Sequence, residues 1–172
     1  MVANSTFPDK LKLAAVSPIF KLGDSFLKKN FRPISVLSAI SKIFERLMSK
    51  QICPFAYRHL SNLLCGFRNG QSAEHGLFRL TEMCLKALAG KKVVGMVLMD
   101  LSKAYDCLPH DLLIAKLAAY GFGQHSLLLI HSYLSNRKLR VKVGSKFSEW
   151  LWINSGAPQG SVLGPMFFQY LH

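Results

Sequence analysis

The spacing of apolar residues changes from segment to segment along the chain, and each spacing predicts an element. Leu11 to Lys21 is largely apolar and is interrupted by Pro18, which predicts extended structure ending at a Gly23-Asp24 turn. Asn30-Phe31-Arg32-Pro33-Ile34-Ser35 predicts a second short extended element. From Val36 to Met48 the period lengthens: Leu37, Ile40, Ile43, Phe44 and Leu47 recur at helical spacing, and the helix can continue toward Ile52. Either Ser35 or Ser38 can cap it, and Pro54 ends or kinks it. After the loop Gly66-Phe67-Arg68-Asn69-Gly70, residues Leu77, Leu80, Met83, Cys84, Leu85 and Leu88 mark a helix that begins near Ser72 and stops at Gly90.

Val93 to Met99 is different. It is short, apolar and β-branched at Val93, Val94 and Val97, and it follows a Gly90-Lys91-Lys92 turn. It predicts a buried strand with Asp100 at its C-terminal end. Helices are predicted from about His110 to Tyr120 and from about Gln124 to Leu134. Leu139-Arg140-Val141-Lys142-Val143 alternates at period two, as a half-buried strand does. Glu149 to Ile153 is its expected antiparallel partner through the turn at Gly144-Ser145, and another helix starts within Ser161 to Leu171. Mixed helices and strands without an internal repeat predict an α+β fold.

Composition narrows the function. Half of the 172 residues are hydrophobic, which supports a packed core and excludes disorder. No apolar run reaches the ~18 residues of a membrane helix, so no membrane partner is expected. Met1-Val2-Ala3-Asn4 does not open a signal peptide, which places the chain inside the cell, in nucleus or cytoplasm. Cys53, Cys65, Cys84 and Cys107 have neither zinc nor disulfide-framework spacing and read as reduced thiols. Charge is the informative quantity. Lys and Arg number 22 against nine Asp and Glu, a net +13 that attracts polyanions, nucleic acid first. Arg137, Lys138, Arg140, Lys142 and Lys146 are concentrated in one short stretch. Lys138, Arg140 and Lys142 share a strand face that either contacts phosphates or is simply solvated. His110 and Asp111 after Pro109 are read as helix-capping residues.

Asp100 closes an apolar run, and a carboxylate there must be exposed, paired or metal-bound. It continues as Leu101-Ser102-Lys103-Ala104-Tyr105-Asp106. Further on comes Ser155-Gly156-Ala157-Pro158-Gln159-Gly160-Ser161-Val162-Leu163-Gly164-Pro165, in which Pro158 stiffens the backbone, Gly160 permits close approach and Gln159 offers donors and acceptors. Together these stretches resemble motifs A and B of the reverse transcriptases of non-LTR (LINE-type) retrotransposons. The resemblance covers about Leu11 to Phe168. It implies a partial right-hand polymerase fold, with residues 1–91 in the fingers and residues 92–172 forming an incomplete palm without a thumb.

The same resemblance assigns residues. Asp100 is the catalytic metal ligand, and the backbone carbonyl of Leu101 also contacts metal. Lys21 and Arg32 hold the incoming triphosphate. Tyr105 stacks on its sugar and excludes a 2′-hydroxyl, and Gln159 and Gly160 complete the nucleotide site. Asp106 is structural. Arg68, Arg137, Lys138, Arg140 and Lys142 face nucleic acid. Where the family reads Gly-Arg-Ser-Thr, this chain has Gly70-Gln71-Ser72-Ala73 and lacks the arginine. The implied partners are an RNA template, a DNA primer and deoxynucleoside triphosphates, and the implied cofactor is a pair of Mg²⁺ ions. The family continues with a Tyr/Phe-X-Asp-Asp hairpin, but no Asp follows Asp111 here and the only later acid is Glu149. The chain is therefore expected to be inactive alone and to expose an apolar edge open to self-association. A non-enzymatic nucleic-acid-binding fragment is the alternative.

Overall fold

A computed structural model describes residues 4–101 and 105–171. In chain order the elements are β1 (Leu13–Phe20), β2 (Phe31–Val36), α1 (Ala39–Ala56), α2 (Ala73–Ala89), α3 (His110–Ala119), α4 (Gln124–Leu134), β3 (Arg137–Val143), β4 (Lys146–Phe147), β5 (Leu151–Ile153) and α5 (Gly164–Leu171). Ser38, not Ser35, caps α1, accepting a hydrogen bond from Ser41 N at 3.1 Å. Pro54 sits in the last turn of α1 and the helix runs past it to Ala56. Ser72 precedes α2, where the His75 ring accepts from Ser72 N at 3.1 Å. No side-chain cap starts α3; His110 turns instead toward the Gly156 carbonyl, 2.8 Å away.

The sheet runs β2-β1-β3-β4, with β5 also paired to β3. β1 and β2 form an antiparallel hairpin, whereas β1 and β3 pair in parallel, Leu13 opposite Lys138 and Val16 opposite Val141. Parallel pairing needs a long crossover, which the intervening helices supply. The core lies among α1, α3, α4 and α5, where Leu113, Leu117, Ile130, Leu134 and Phe167 are fully buried. Phe7 closes it from the N-terminal side, edge-on to Tyr133 at 5.0 Å.

Two sequence expectations need correction. Residues 92–101 form no strand: Val93 is 98% exposed and Met99 90%. A lone strand is not stable in water, and no described strand pairs with this one. The apolar stripe of α1 also faces outward at Ile40, Ile43 and Leu47, while Ser41, Glu45 and Met48 are buried. The helix packs on the core instead through Phe44, Met48, Ile52 and Phe55, with Glu45 hydrogen-bonded on the same side. Helix α2 has no buried residue, and Leu77, Phe78 and Met83 are exposed, so the apolar surface running from α2 through Met99 is open.

Candidate functional site

The loop between β5 and α5 carries Pro158-Gln159-Gly160 and is held on three sides. Along one side it is zipped to residues 105–110. Gly156 N donates to the Leu108 carbonyl at 2.8 Å, and Ala157 N donates to the Tyr105 carbonyl at 2.8 Å. Ser155 Oγ donates to the Asp106 carbonyl at 3.2 Å. Gly156 makes this approach possible at φ +85°, because a Cβ there would lie 2.7 Å from the Tyr105 oxygen. On the second side Ser35 N, on β2, donates to the Gln159 carbonyl at 2.9 Å. Gly160 follows at φ +98°, where a Cβ would stand 3.3 Å from the Ser35 oxygen.

The third support is underneath. Glu45 is fully buried and its Oε2 accepts from Val162 N at 2.5 Å. Ser161 Oγ accepts from Gly164 N at 3.0 Å and so starts α5. Tyr133 lies beside both, and burial, then the charge of Glu45, pushes its hydroxyl well above the ordinary tyrosine range.

The result is a cleft of about 320 Å³ lined by Pro33, Ser35, Asp106, Trp152, Pro158 and Gln159. Gln159 Nε2 reaches Asp106 Oδ1 at 3.5 Å. The half-buried Tyr105 ring stacks on Phe168 at 5.8 Å, and burial raises the pKa of its hydroxyl. Lys21 and Arg32 are both exposed on the β1–β2 hairpin. Arg32 pairs with Ile19, and Lys21 N bonds the Asn30 carbonyl at 2.8 Å, so the two cations share a face.

Asp100 and Leu101 are not gathered into this site. They lie exposed on the irregular segment, and Asp100 has no hydrogen-bond or ion-pair partner among the described residues. Ser102, Lys103 and Ala104 lie outside the described residues. Arg68 is engaged internally, its Nη1 donating to the Ser61 carbonyl at 2.9 Å. Arg137 is not on the surface with its neighbours: it is 2% exposed and its guanidinium sits 4.9 Å from the centroid of the Tyr133 ring. Desolvation lowers its pKa, and Nε and Nη2 have no hydrogen-bond partner among the described residues. Lys138, Arg140 and Lys142 do share one face of β3.

A pair of Mg²⁺ ions needs several carboxylate oxygens converging within a few ångströms. No group of three His, Cys, Asp or Glu side chains converges among the described residues. One exposed carboxylate at Asp100 does not fit a two-ion site.

Residues 19–172 match the family model described as reverse transcriptase (RNA-dependent DNA polymerase). The chain belongs to the reverse transcriptase family. It is 35% identical over 165 residues to a probable RNA-directed DNA polymerase from transposon BS of Drosophila melanogaster, covering 94% of this chain and 18% of that protein. It is 35% identical over 169 residues to the probable polymerase of the X-element, and 30% over 165 residues to that of mobile element jockey, both from the same fly and with the same coverage. The chain thus spans 18% of the length of these relatives and corresponds to a segment of an RNA-directed DNA polymerase of the non-LTR type. The matched span includes Lys21, Arg32, Asp100, Tyr105 and Gln159 alike.

Two residues that build this cleft are not singled out by the sequence patterns. Glu45 was detectable, because it falls three residues before Met48 and seven before Ile52, on a stripe that buries Met48 and partly buries Ile52. Gly156 carried no local signal, because its need for glycine arises from a chain segment some fifty residues away.

Proposed function

We propose that the chain forms part of the polymerase body of an RNA-directed DNA polymerase, with residues 1–91 on the fingers side and residues 92–172 contributing to the palm. The observation that carries this reading is the clamped Pro158-Gln159-Gly160 loop, fixed at once to β2, to Glu45 and to residues 105–108. It draws Asp106, from the tail of the first motif, and the second motif into one cleft, to which the hairpin that bears Lys21 and Arg32 contributes Pro33 and Ser35. In this role Lys21 and Arg32 hold triphosphate oxygens, Arg32 as a fork and Lys21 as a point charge. Tyr105 and Gln159 bound the sugar and base, with Gly160 letting the backbone come close. Arg68, Lys138, Arg140 and Lys142 attract the RNA template and DNA primer.

In a longer polymerase the Asp100 carboxylate and the Leu101 carbonyl would serve metal, with further acids from outside these residues. Alone, the chain binds template and primer and does not extend the primer. Incubation with an RNA template, a DNA primer, deoxynucleoside triphosphates and Mg²⁺ tests both halves. A mobility shift without extension is expected. Extension lost on Asp100→Asn would refute inactivity, and absence of any shift would refute the polymerase reading.

The exposed, unpartnered Asp100 favours one second reading, a basic nucleic-acid-binding module without catalysis. Under it, deoxynucleotides leave the affinity for template and primer unchanged. Under the polymerase reading, the complementary nucleotide tightens that complex.

A further inference from the structure

Three cations and three aromatic rings interleave on one face of the sheet where β3 meets β4 and β5. Lys138, Arg140 and Lys142 point to one side of β3 because side chains alternate along a strand. Lys138 Nζ lies 4.1 Å from the ring centroid of Trp152, its paired residue on β5. Arg140 Cζ lies 3.9 Å from the Phe147 centroid and 4.6 Å from that of Trp150. Lys142 Nζ lies 5.6 Å from Phe147, its paired residue on β4. None of the three cations has an acidic ion-pair partner among the described residues. The rings stay open to solvent, Trp152 at 60% and Phe147 at 47% exposure. Trp152 also borders the cleft at Gln159, whereas the other β3 and β5 residues lining that cleft, Arg137, Leu139 and Ile153, alternate to the opposite face.

Two ligand groups match this surface together. The unpaired positive charges match phosphates. Exposed aromatic faces match bases, and only unpaired bases offer a free π-face, each stacked base contributing about 1–3 kcal/mol. A duplex presents phosphates but hides its base faces, and an acidic protein surface leaves the indoles unused. We propose that this face is a stacking platform for single-stranded nucleic acid. Bases lie on Trp150, Trp152 and Phe147, and phosphates meet Lys138, Arg140 and Lys142. The run from Lys138 to Lys142 spans about 13 Å, enough for a few nucleotides and no more. The inference rests on the nucleic-acid half of the function proposed above and names its contact mode.

The chain has two tryptophans, Trp150 and Trp152, so its indole emission reports this face directly. The test titrates the full chain with a short oligouridine RNA, then with the same strand annealed to its complement. The expected result is saturable quenching by the single strand, with much weaker binding of the duplex. Trp152→Leu, and independently Trp150→Leu, should weaken single-strand binding at least about fivefold, with circular dichroism unchanged. Lys138→Gln should flatten the dependence of log affinity on log salt by about 0.7. Equal affinity for duplex and single strand, or binding that neither tryptophan substitution weakens, would overturn the platform. RNA that binds without quenching removes the platform and leaves the function proposed above standing, whereas no RNA binding removes both.

Discussion

Replacing Gly156 by alanine tests the joint between the two motifs. Two penalties arise from the structure. At φ +85° a side chain stands in the left-handed region, which costs about 1–2 kcal/mol. The added Cβ also meets backbone, 2.7 Å from the Tyr105 oxygen and 2.9 Å from that of Asp106, so one of the two strands of the joint must move. Movement lengthens the hydrogen bonds from Gly156 N to Leu108 and from Ala157 N to Tyr105, each contributing about 1 kcal/mol. The sum is about 3 kcal/mol. Gly144→Ala separates the two penalties, because Gly144 is at φ +58° with nothing within 4 Å of a Cβ, and it should lose only about 1 kcal/mol. Urea unfolding measures both. With a slope near 2 kcal/mol/M, Gly156→Ala should unfold about 1 M of urea earlier than Gly144→Ala. Equal midpoints would show that the joint is not close-packed, and the held-loop account would fail.

Glu45→Leu should lower stability by about 2 kcal/mol, because it leaves the Val162 N–H buried without an acceptor, while Glu45→Gln should lose less; thermal melts that rank Gln below Leu would contradict this. Tyr170 donates to the Ala56 carbonyl at 2.6 Å, and burial pushes its pKa up to about 12. Tyrosine in the unfolded chain ionises near pH 10, so this contribution is complete below about pH 10 and is lost as pH climbs toward 12. Tyr170→Phe should make the alkaline fall in the urea midpoint shallower, and an unchanged slope would count against the buried hydroxyl. Brief trypsin digestion should cut first after Lys91 and Lys92, where the chain leaves α2 and loses regular hydrogen bonding. First cleavage within α3 or β3, read by mass spectrometry, would mean that the exposed apolar segment is covered in solution.

Local patterns made most elements legible. Ser72 and Gly90 bracket α2, and the helix expected from about Gln124 to Leu134 is α4. The alternation from Leu139 to Val143 located β3, although the strand begins earlier, at Arg137. Patterns that depend on a partner did not read through. Parallel pairing of Leu13 with Lys138 joins distant parts of the chain and leaves no mark on either. Trp150 and Trp152 stand at period two, but their significance depends on which cations the register sets opposite them.

Asp100 and Glu45 show the same limit from opposite directions. The run ending at Asp100 has strong strand propensity, yet it is exposed and irregular because β structure is a property of pairs and no described strand offers it a ladder. Glu45 is charged and by composition belongs in water, yet it is buried on the helix stripe of Met48 and Ile52, where its carboxylate accepts from a backbone N–H of the loop that carries Pro158-Gln159-Gly160. In each case tertiary partners decide against composition, and in each case the decision bears on the site. The second motif is completed by contacts inside the described residues, whereas the first is completed only at its tail, from Tyr105 onward. The Asp100 segment and the loop architecture are therefore separable in this chain. Substitutions at Glu45 or Gly156 should disturb the cleft and the fold together, while Asp100→Asn should leave the fold untouched.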